Sequence, residues 1–145
     1  MKIRVAKFLT MIILASMLCV PAFANDEIVP YASDQFDMTT VDIAAQAGGK
    51  IVMDCKAYGT SRMTSIGMTK LTIYEKTGNA WFVVESRKLA DNPDWMVYNT
   101  YNFGTTEWYS GTVGKQYYVK ATFEGTNSRG TDTRTYTSAV VTAHT

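Results

Sequence analysis

The chain is poor in the residues that enzymes use for nucleophilic and metal chemistry. Its 145 residues include two cysteines and one histidine. His144 stands next to the last residue, and a chain end is a poor support for a catalytic imidazole, which must be held by a third group. A zinc site would have to consist mostly of carboxylates, and no cluster of them has ligand spacing. The sequence therefore predicts no catalytic residue, no metal and no other cofactor, and we expect that the protein is not an enzyme.

Signatures of nucleotide and nucleic-acid binding are missing as well. The sequence contains no P-loop, no GxGxxG and no GxSxG motif. Basic and acidic residues nearly balance, 14 against 13, which argues against a nucleic-acid partner because such binding needs clustered Lys and Arg. Carboxylate pairs such as Asp91 with Asp94, or Glu85 with Glu107, would suit glycoside hydrolysis. Any chain with 13 acidic residues offers such pairs, however, so solvated surface charges explain them equally well.

The first 24 residues have the pattern of a secretory leader. Three basic residues precede an apolar run, Phe8 to Val20, and Ala22-Phe23-Ala24 then supplies small residues at a cleavage site. The run is shorter than the roughly 20 residues that cross a bilayer. We therefore expect cleavage after Ala24, a secreted protein and no membrane association afterwards. Removing the leader leaves 11 basic and 13 acidic residues, a net charge of −2.

The remaining sequence predicts a short tail, 25–34, and one β-domain, 35–145. In Lys50–Tyr58 the residues Ile51, Met53, Cys55 and Ala57 alternate with mostly polar ones, and Tyr117 to Phe123 alternates in the same way. The stretch from Tyr58 to Gly67 is rich in Gly, Ser and Thr and predicts a loop. No segment has a convincing helical period. About seven strands, each with one apolar face, predict an antiparallel β-sandwich.

Cys55 is left without an intramolecular partner once Cys19 is removed with the leader. An unpaired cysteine in a secreted chain can form an intermolecular bridge or serve as a reactive thiol. The alternation of its strand favours a third role, that of a small buried hydrophobic residue.

Two resemblances follow from longer patterns. The run Gly114-x-x-Tyr117-x-Val119-x-Ala121-x-Phe123 resembles the penultimate strand of fibronectin type III and other immunoglobulin-like domains. This resemblance implies that Tyr117 is the corner tyrosine, whose hydroxyl reaches back to the backbone, and that Trp81 packs across the core. The chain is also similar to small exported proteins of Gram-positive bacteria, through Ile28 to Ser33, Ile73 to Trp81 and Gly114 to Tyr118. That similarity implies export and fold but no biochemical activity.

An aromatic stretch is the one feature with the chemistry of a ligand site. Exposed rings on a β-surface bind sugars or peptides through apolar area with a polar edge. The candidates are Trp95, Tyr98, Tyr101, Trp108 and Tyr109. Alternation would instead bury about half of them and use the others in cross-strand pairs. We expect a secreted, non-catalytic binding module for a surface carbohydrate or protein, with a structural, self-associating protein as the alternative.

Overall fold

The computed structural model describes residues 35–145, which form seven strands joined by turns. In chain order the strands are β1 (Phe36–Ala45), β2 (Lys50–Thr77), β3 (Ala80–Lys88), β4 (Met96–Ser110), β5 (Gln116–Asn127), β6 (Gly130–Thr137) and β7 (Val141–Thr142). All the pairings are antiparallel. The prediction of an all-β antiparallel domain of about seven strands is confirmed. The predicted leader, 1–24, and tail, 25–34, lie outside the described residues.

Helical structure in this part of the chain is limited to three 3-10 turns, Ala47–Gly49, Leu89–Asp91 and Pro93–Trp95. No helix in residues 35–145 has the length and apolar character needed to cross a membrane.

Strand β2 is 28 residues long and pairs with four other strands. Its first half lies between β1 and β4, and its second half lies between β3 and β5. The prediction of a loop from Tyr58 to Gly67 is wrong, because this segment stays extended. Pairing with β4 is interrupted between Tyr58 and Met63, where Gly59 still pairs with Phe36 of β1, and from Ser65 to Gly67 the strand has partners on both sides. Backbone hydrogen bonds from two neighbours outweigh the weak local β-propensity of Gly and Ser.

The core lies on the inward face of β2 and β5. Strand β1 also contacts β5, β6 and β7, although its backbone pairs only with β2, so the sheet folds over on itself. The apolar residues that alternate along β2 and β5 fill the interior of the folded sheet, and Cys55 is fully buried among them. The other fully buried residues of these two strands are Ile51, Met53, Ala57, Met63, Ile66, Met68, Leu71, Ile73, Tyr117, Val119, Ala121 and Phe123.

The tryptophan that packs in this core is Trp95, which follows β3 in the last 3-10 turn. The expectation that Trp81 packs across the core is wrong. Gly67 makes room for Trp95, because a Cβ at Gly67 would overlap the carbonyl oxygen of Trp95. The indole Nε1 of Trp95 donates a hydrogen bond to Glu107 at 2.8 Å, which satisfies its polar atom inside the protein.

A β-bulge in β3 explains why Trp81 and Glu85 face opposite sides of the sheet. Tyr74 on β2 pairs with Val83, whereas the preceding Ile73 pairs with Glu85, so Val84 is the extra residue. In a regular strand Trp81 and Glu85 would share one face, because they have the same parity. The bulge separates them, so that Trp81 points outward and Glu85 points toward the interior.

The C-terminal residues are held by hydrogen bonds, so the backbone next to His144 is better supported than its place at the chain end predicts. The backbone N–H of Gly49 donates to the carbonyl of His144 at 2.9 Å, and that of Ala143 donates to the carbonyl of Lys115 at 2.9 Å. Ala143 is buried. The His144 ring itself is exposed.

Candidate functional site

The five aromatic residues proposed from the sequence do not form one patch. Trp95 is 1% exposed and belongs to the core, so its assignment to a binding surface is wrong. Tyr109 packs against the core, with its ring centroid 5.8 Å from that of Tyr117. Tyr98, Tyr101 and Trp108 are 67%, 60% and 57% exposed. Sequence proximity therefore placed buried and exposed rings in one group.

The exposed members are also far apart along β4. Ten residues separate Tyr98 from Trp108, which corresponds to about 33 Å in an extended strand. Tyr98 pairs with Ser65 and Trp108 pairs with Val52, toward opposite ends of β4. Trp108 has Lys50 above its ring at 5.8 Å. These rings can make single contacts, but they cannot surround one small ligand.

Three other rings do come together, on the outward face of the second half of the sheet. We call Tyr74, Tyr118 and Trp81 the aromatic cluster. The rings of Tyr74 and Tyr118 stack at 4.6 Å with an interplanar angle of 5°, since the two residues pair across β2 and β5. Trp81 meets Tyr118 edge-on at 4.7 Å and 78°. All three rings are half-buried rather than covered.

A groove runs beside this cluster because β5 loses its regular partner there. Strand β6 ends at Thr137 and β7 begins at Val141. Between them, Ser138 replaces the ladder: its N–H donates to the Val119 carbonyl at 2.9 Å, and its Oγ accepts from the Val119 N–H at 3.0 Å. The segment therefore bows outward and forms a wall. The groove has a volume of about 410 Å³ and is lined by Trp81, Tyr118, Lys120, Thr137, Ser138 and Val140.

A second depression, of about 310 Å³, lies where the β2–β3 turn meets the start of β5 and β7. Lys76 lines it and also pairs with Trp81, its Nζ lying 5.9 Å from that ring, so the depression adjoins the aromatic cluster. Its lining is polar and consists of Lys76, Gly78, Gly114, Lys115, Gln116 and Thr142. Lys115 is paired with Glu75 at 3.6 Å.

Lysines dominate the charge of the same face. Lys70 on β2 pairs directly with Lys88 on β3. On its other side Lys70 pairs with Thr122 of β5, and Lys120 is the next residue on the same face of β5. Lys120 has its Nζ 5.6 Å from the Tyr74 ring. We call Lys70, Lys76, Lys88 and Lys120 the lysine face. Within residues 35–145 none of the four forms a salt bridge.

The interior carboxylates are engaged in structural contacts. Arg87 donates through Nε to Glu85 and through Nη1 to Glu107 at 2.8 Å, while its Nη2 donates to the Trp108 carbonyl at 2.8 Å. Glu107 also accepts the Trp95 indole hydrogen bond. The two carboxylates thus share one guanidinium, which joins β3 to β4.

The Cys55 thiol is buried near this network. Burial raises the pKa of Cys55 to about 12, and the nearby carboxylate of Glu107 adds to the rise. A thiol with such a pKa is almost entirely protonated at neutral pH and is a poor nucleophile. No group of three or more His, Cys, Asp and Glu side chains in the described part of the chain is arranged to hold a metal ion.

Tyr117 has the hydrogen bond that its resemblance implies. The backbone N–H of Thr112, five residues upstream, donates to the Tyr117 hydroxyl at 2.8 Å, and the hydroxyl donates to Glu75 at 2.6 Å. The ring is fully buried. These contacts join the start of β5 to the end of β2, beneath the polar depression.

Comparison of the chain with protein-family models and with curated proteins found no match. The site must therefore be argued from its own residues. Sequence reasoning missed Tyr74, Tyr118 and Lys120, although Tyr118 and Lys120 have the outward parity of the alternating stretch from Tyr117 to Phe123. The missing information was the pairing of Tyr74 with Tyr118, two residues 44 positions apart.

Proposed function

We propose that the protein is an exported, non-catalytic binding module whose ligand is an extracellular glycan held in the groove beside the aromatic cluster. The observation that carries the proposal is the gathering of three rings on the wet face of the sheet. Aromatic side chains gain most from burial, so their concentration outside the core calls for a reason. Sugars fit such a surface because their apolar C–H faces pack on rings while their hydroxyls bond to polar groups at the edge.

The groove supplies both kinds of contact. Trp81 and Tyr118 offer apolar area, and Val140, half exposed, extends it on the opposite wall. The hydroxyl of Thr137 and the ammonium group of Lys120 lie along the same groove, whereas the Ser138 hydroxyl is already bonded to the backbone of Val119 and Ala139. Most ligand sites combine a concave apolar surface with a few polar groups in this way.

The remaining expectations from the sequence belong to the same proposal. Export through the 1–24 leader and kinship with small exported Gram-positive proteins agree with a glycan outside the cell. The Thr112–Tyr117 hydrogen bond supports an immunoglobulin-like origin, in which a corner tyrosine is typical. A non-catalytic role is supported by Arg87, which occupies both Glu85 and Glu107.

A glycan microarray and cell-wall retention assay with the purified protein test this function. We expect retention that falls about tenfold or more in Trp81→Ala and in Tyr118→Ala, since tenfold equals the loss of about 1.4 kcal/mol. Trp108→Ala is the matched control, because it removes an exposed tryptophan from the other half of the sheet. Melting temperatures of all variants establish that the fold is intact.

Retention that is lost in Trp108→Ala but kept in Trp81→Ala would move the site to β4 and contradict the proposal. Absence of any glycan retention would refute it.

Self-association is a second candidate function, and β3 favours it. Phe82 and Val83 are more than half exposed, and among the described residues β3 pairs only with β2. An apolar strand with an open edge can pair with a second chain. Light scattering over a concentration series tests this, with Val83→Lys expected to abolish any dimer. A mass that stays monomeric at every concentration would exclude it.

A further inference from the structure

We infer that the ligand is an acidic polysaccharide, bound across the lysine face with its sugar rings against the aromatic cluster. The inference rests on the proposed function and names its ligand class. It is carried by the pairing register of β2, β3 and β5, which brings four lysines together on one surface. The same surface bears the groove.

The like-charged pair Lys70 and Lys88 is the first argument. Residues directly opposite each other in an antiparallel pair have Cβ atoms about 5 Å apart, and like charges in such positions destabilise the sheet. Both side chains are exposed, and neither meets a carboxylate among residues 35–145. An anionic ligand between them would convert this repulsion into two attractive contacts.

The distribution of negative charge is the second argument. The carboxylates of Glu75 and Glu85 have the inward parity of β2 and β3, and Glu75 is paired with Lys115. Along β5 the outward acidic residue is Glu124, two positions past Thr122, the partner of Lys70, so one outward carboxylate of β5 accompanies four lysines on this surface. The protein therefore has a nearly neutral composition but a cationic surface at this place.

The spacing of the lysines is the third argument. Lys70 and Lys76 are six residues apart on β2, which corresponds to about 20 Å in an extended strand, and Lys120 lies between them on the neighbouring β5. A single small anion cannot span such a distance. A linear polymer with a carboxylate or phosphate in each repeat can, and the exposed threonines Thr135 and Thr137 on β6 add hydroxyl groups along the same path.

The test compares acidic polysaccharides with their own carboxyl-reduced forms, using polyglucuronate, polygalacturonate and alginate as the probes. The two members of each pair share a backbone and differ in charge. We expect at least one acidic probe to bind about tenfold more tightly than its reduced form at low ionic strength, and to lose this advantage in high salt because exposed charges are screened.

Variants assign the effect to this face. The double variant Lys70→Gln/Lys120→Gln should bind the acidic probe about tenfold more weakly, with unchanged affinity for the reduced form. Lys50→Gln/Lys56→Gln is the matched control on the other half of the sheet and should bind like the parent protein. Lys70→Arg/Lys120→Arg, which keeps both charges, should retain most of the affinity of the parent protein for the acidic probe.

The outcomes separate this inference from the proposed function. Equal binding of acidic and reduced probes, sensitive to Trp81→Ala, would overturn the acidic ligand and leave glycan binding in place. Binding to vesicles that contain anionic lipid, with no binding to any polysaccharide, would overturn both. Loss of acidic-probe binding in the control double variant would place the cationic site elsewhere.

Discussion

Tyr117→Phe tests how much the Tyr117 hydroxyl contributes to the stability of the fold. The substitution keeps the buried ring and removes the hydroxyl that accepts the Thr112 N–H and donates to Glu75. Hydrogen bonds to charged groups contribute about 1.5–3 kcal/mol, and neutral ones about 1 kcal/mol. Glu75 retains Lys115 as a partner, and Thr112 can be rehydrated at the surface, so we expect a net loss of about 2 kcal/mol.

For a domain of this size a loss of about 2 kcal/mol lowers the melting temperature by about 8 °C. Differential scanning calorimetry measures that shift directly. Tyr109→Phe is the matched control, because the Tyr109 hydroxyl makes no hydrogen bond to residues 35–145, and we expect its effect to be within about 0.5 kcal/mol. A melting temperature in Tyr117→Phe as high as that of the control would show that the Tyr117 hydroxyl does not stabilise the fold.

Three further predictions concern charge, thiol and tryptophan. Lys88→Gln should raise the melting temperature by about 1–2 °C at low ionic strength, because it removes the repulsion with Lys70, and the gain should vanish in high salt. An unchanged melting temperature at low salt would show that the two lysines do not repel each other measurably. Cys55 should resist thiol reagents until the protein unfolds. Folding raises the pKa of Cys55 from 9.0 to about 12, so its contribution to stability is complete below pH 9 and falls by about 1.4 kcal/mol per pH unit between pH 9 and pH 12. An equally steep loss of stability at alkaline pH in Cys55→Ala would contradict this. Iodide should quench a variant whose only tryptophan is Trp108 and spare one that retains only Trp95, and the reverse result would overturn their assigned burial.

The alternating patterns predicted the parts of the fold that depend on one face being buried. In Lys50–Tyr58 and Tyr117–Phe123 the inward residues of the structure are those of the apolar parity. Because burial of one face strongly specifies the register, the local sequence is enough to predict which residues of such a strand point inward. The extended shape of the segment from Tyr58 to Gly67 is not encoded locally, because it comes from pairing with β4 and β5, which lie far along the chain.

The candidate site was harder to predict, for two physical reasons. Trp95 is buried because Gly67, 28 residues earlier, leaves room for its backbone, and no local pattern encodes that contact. The stack of Tyr74 on Tyr118 depends on the register of two strands that are distant in sequence. Trp81 is different: the Thr77-Gly78-Asn79 turn places it opposite Lys76, so its outward position could have been derived from the hairpin alone.

The bulge at Val84 links the candidate site to the stability of the domain. Trp81, Val83, Glu85 and Arg87 are all odd-numbered and would share one face of a regular strand. The extra residue lets Trp81 and Val83 point outward, where Trp81 meets Tyr118 and lines the groove, while Glu85 and Arg87 point inward.

The inward pair then performs a structural task that an outward pair could not. Arg87 reaches Glu107 and the Trp108 carbonyl, and through them it holds β4 against β3, strands that share no backbone ladder in residues 35–145. Bulges commonly re-aim side chains beside functional sites. The bulge residue Val84 thus places the proposed ligand surface and the Arg87 network on opposite faces of β3. Substitutions in the aromatic cluster should therefore leave the fold intact.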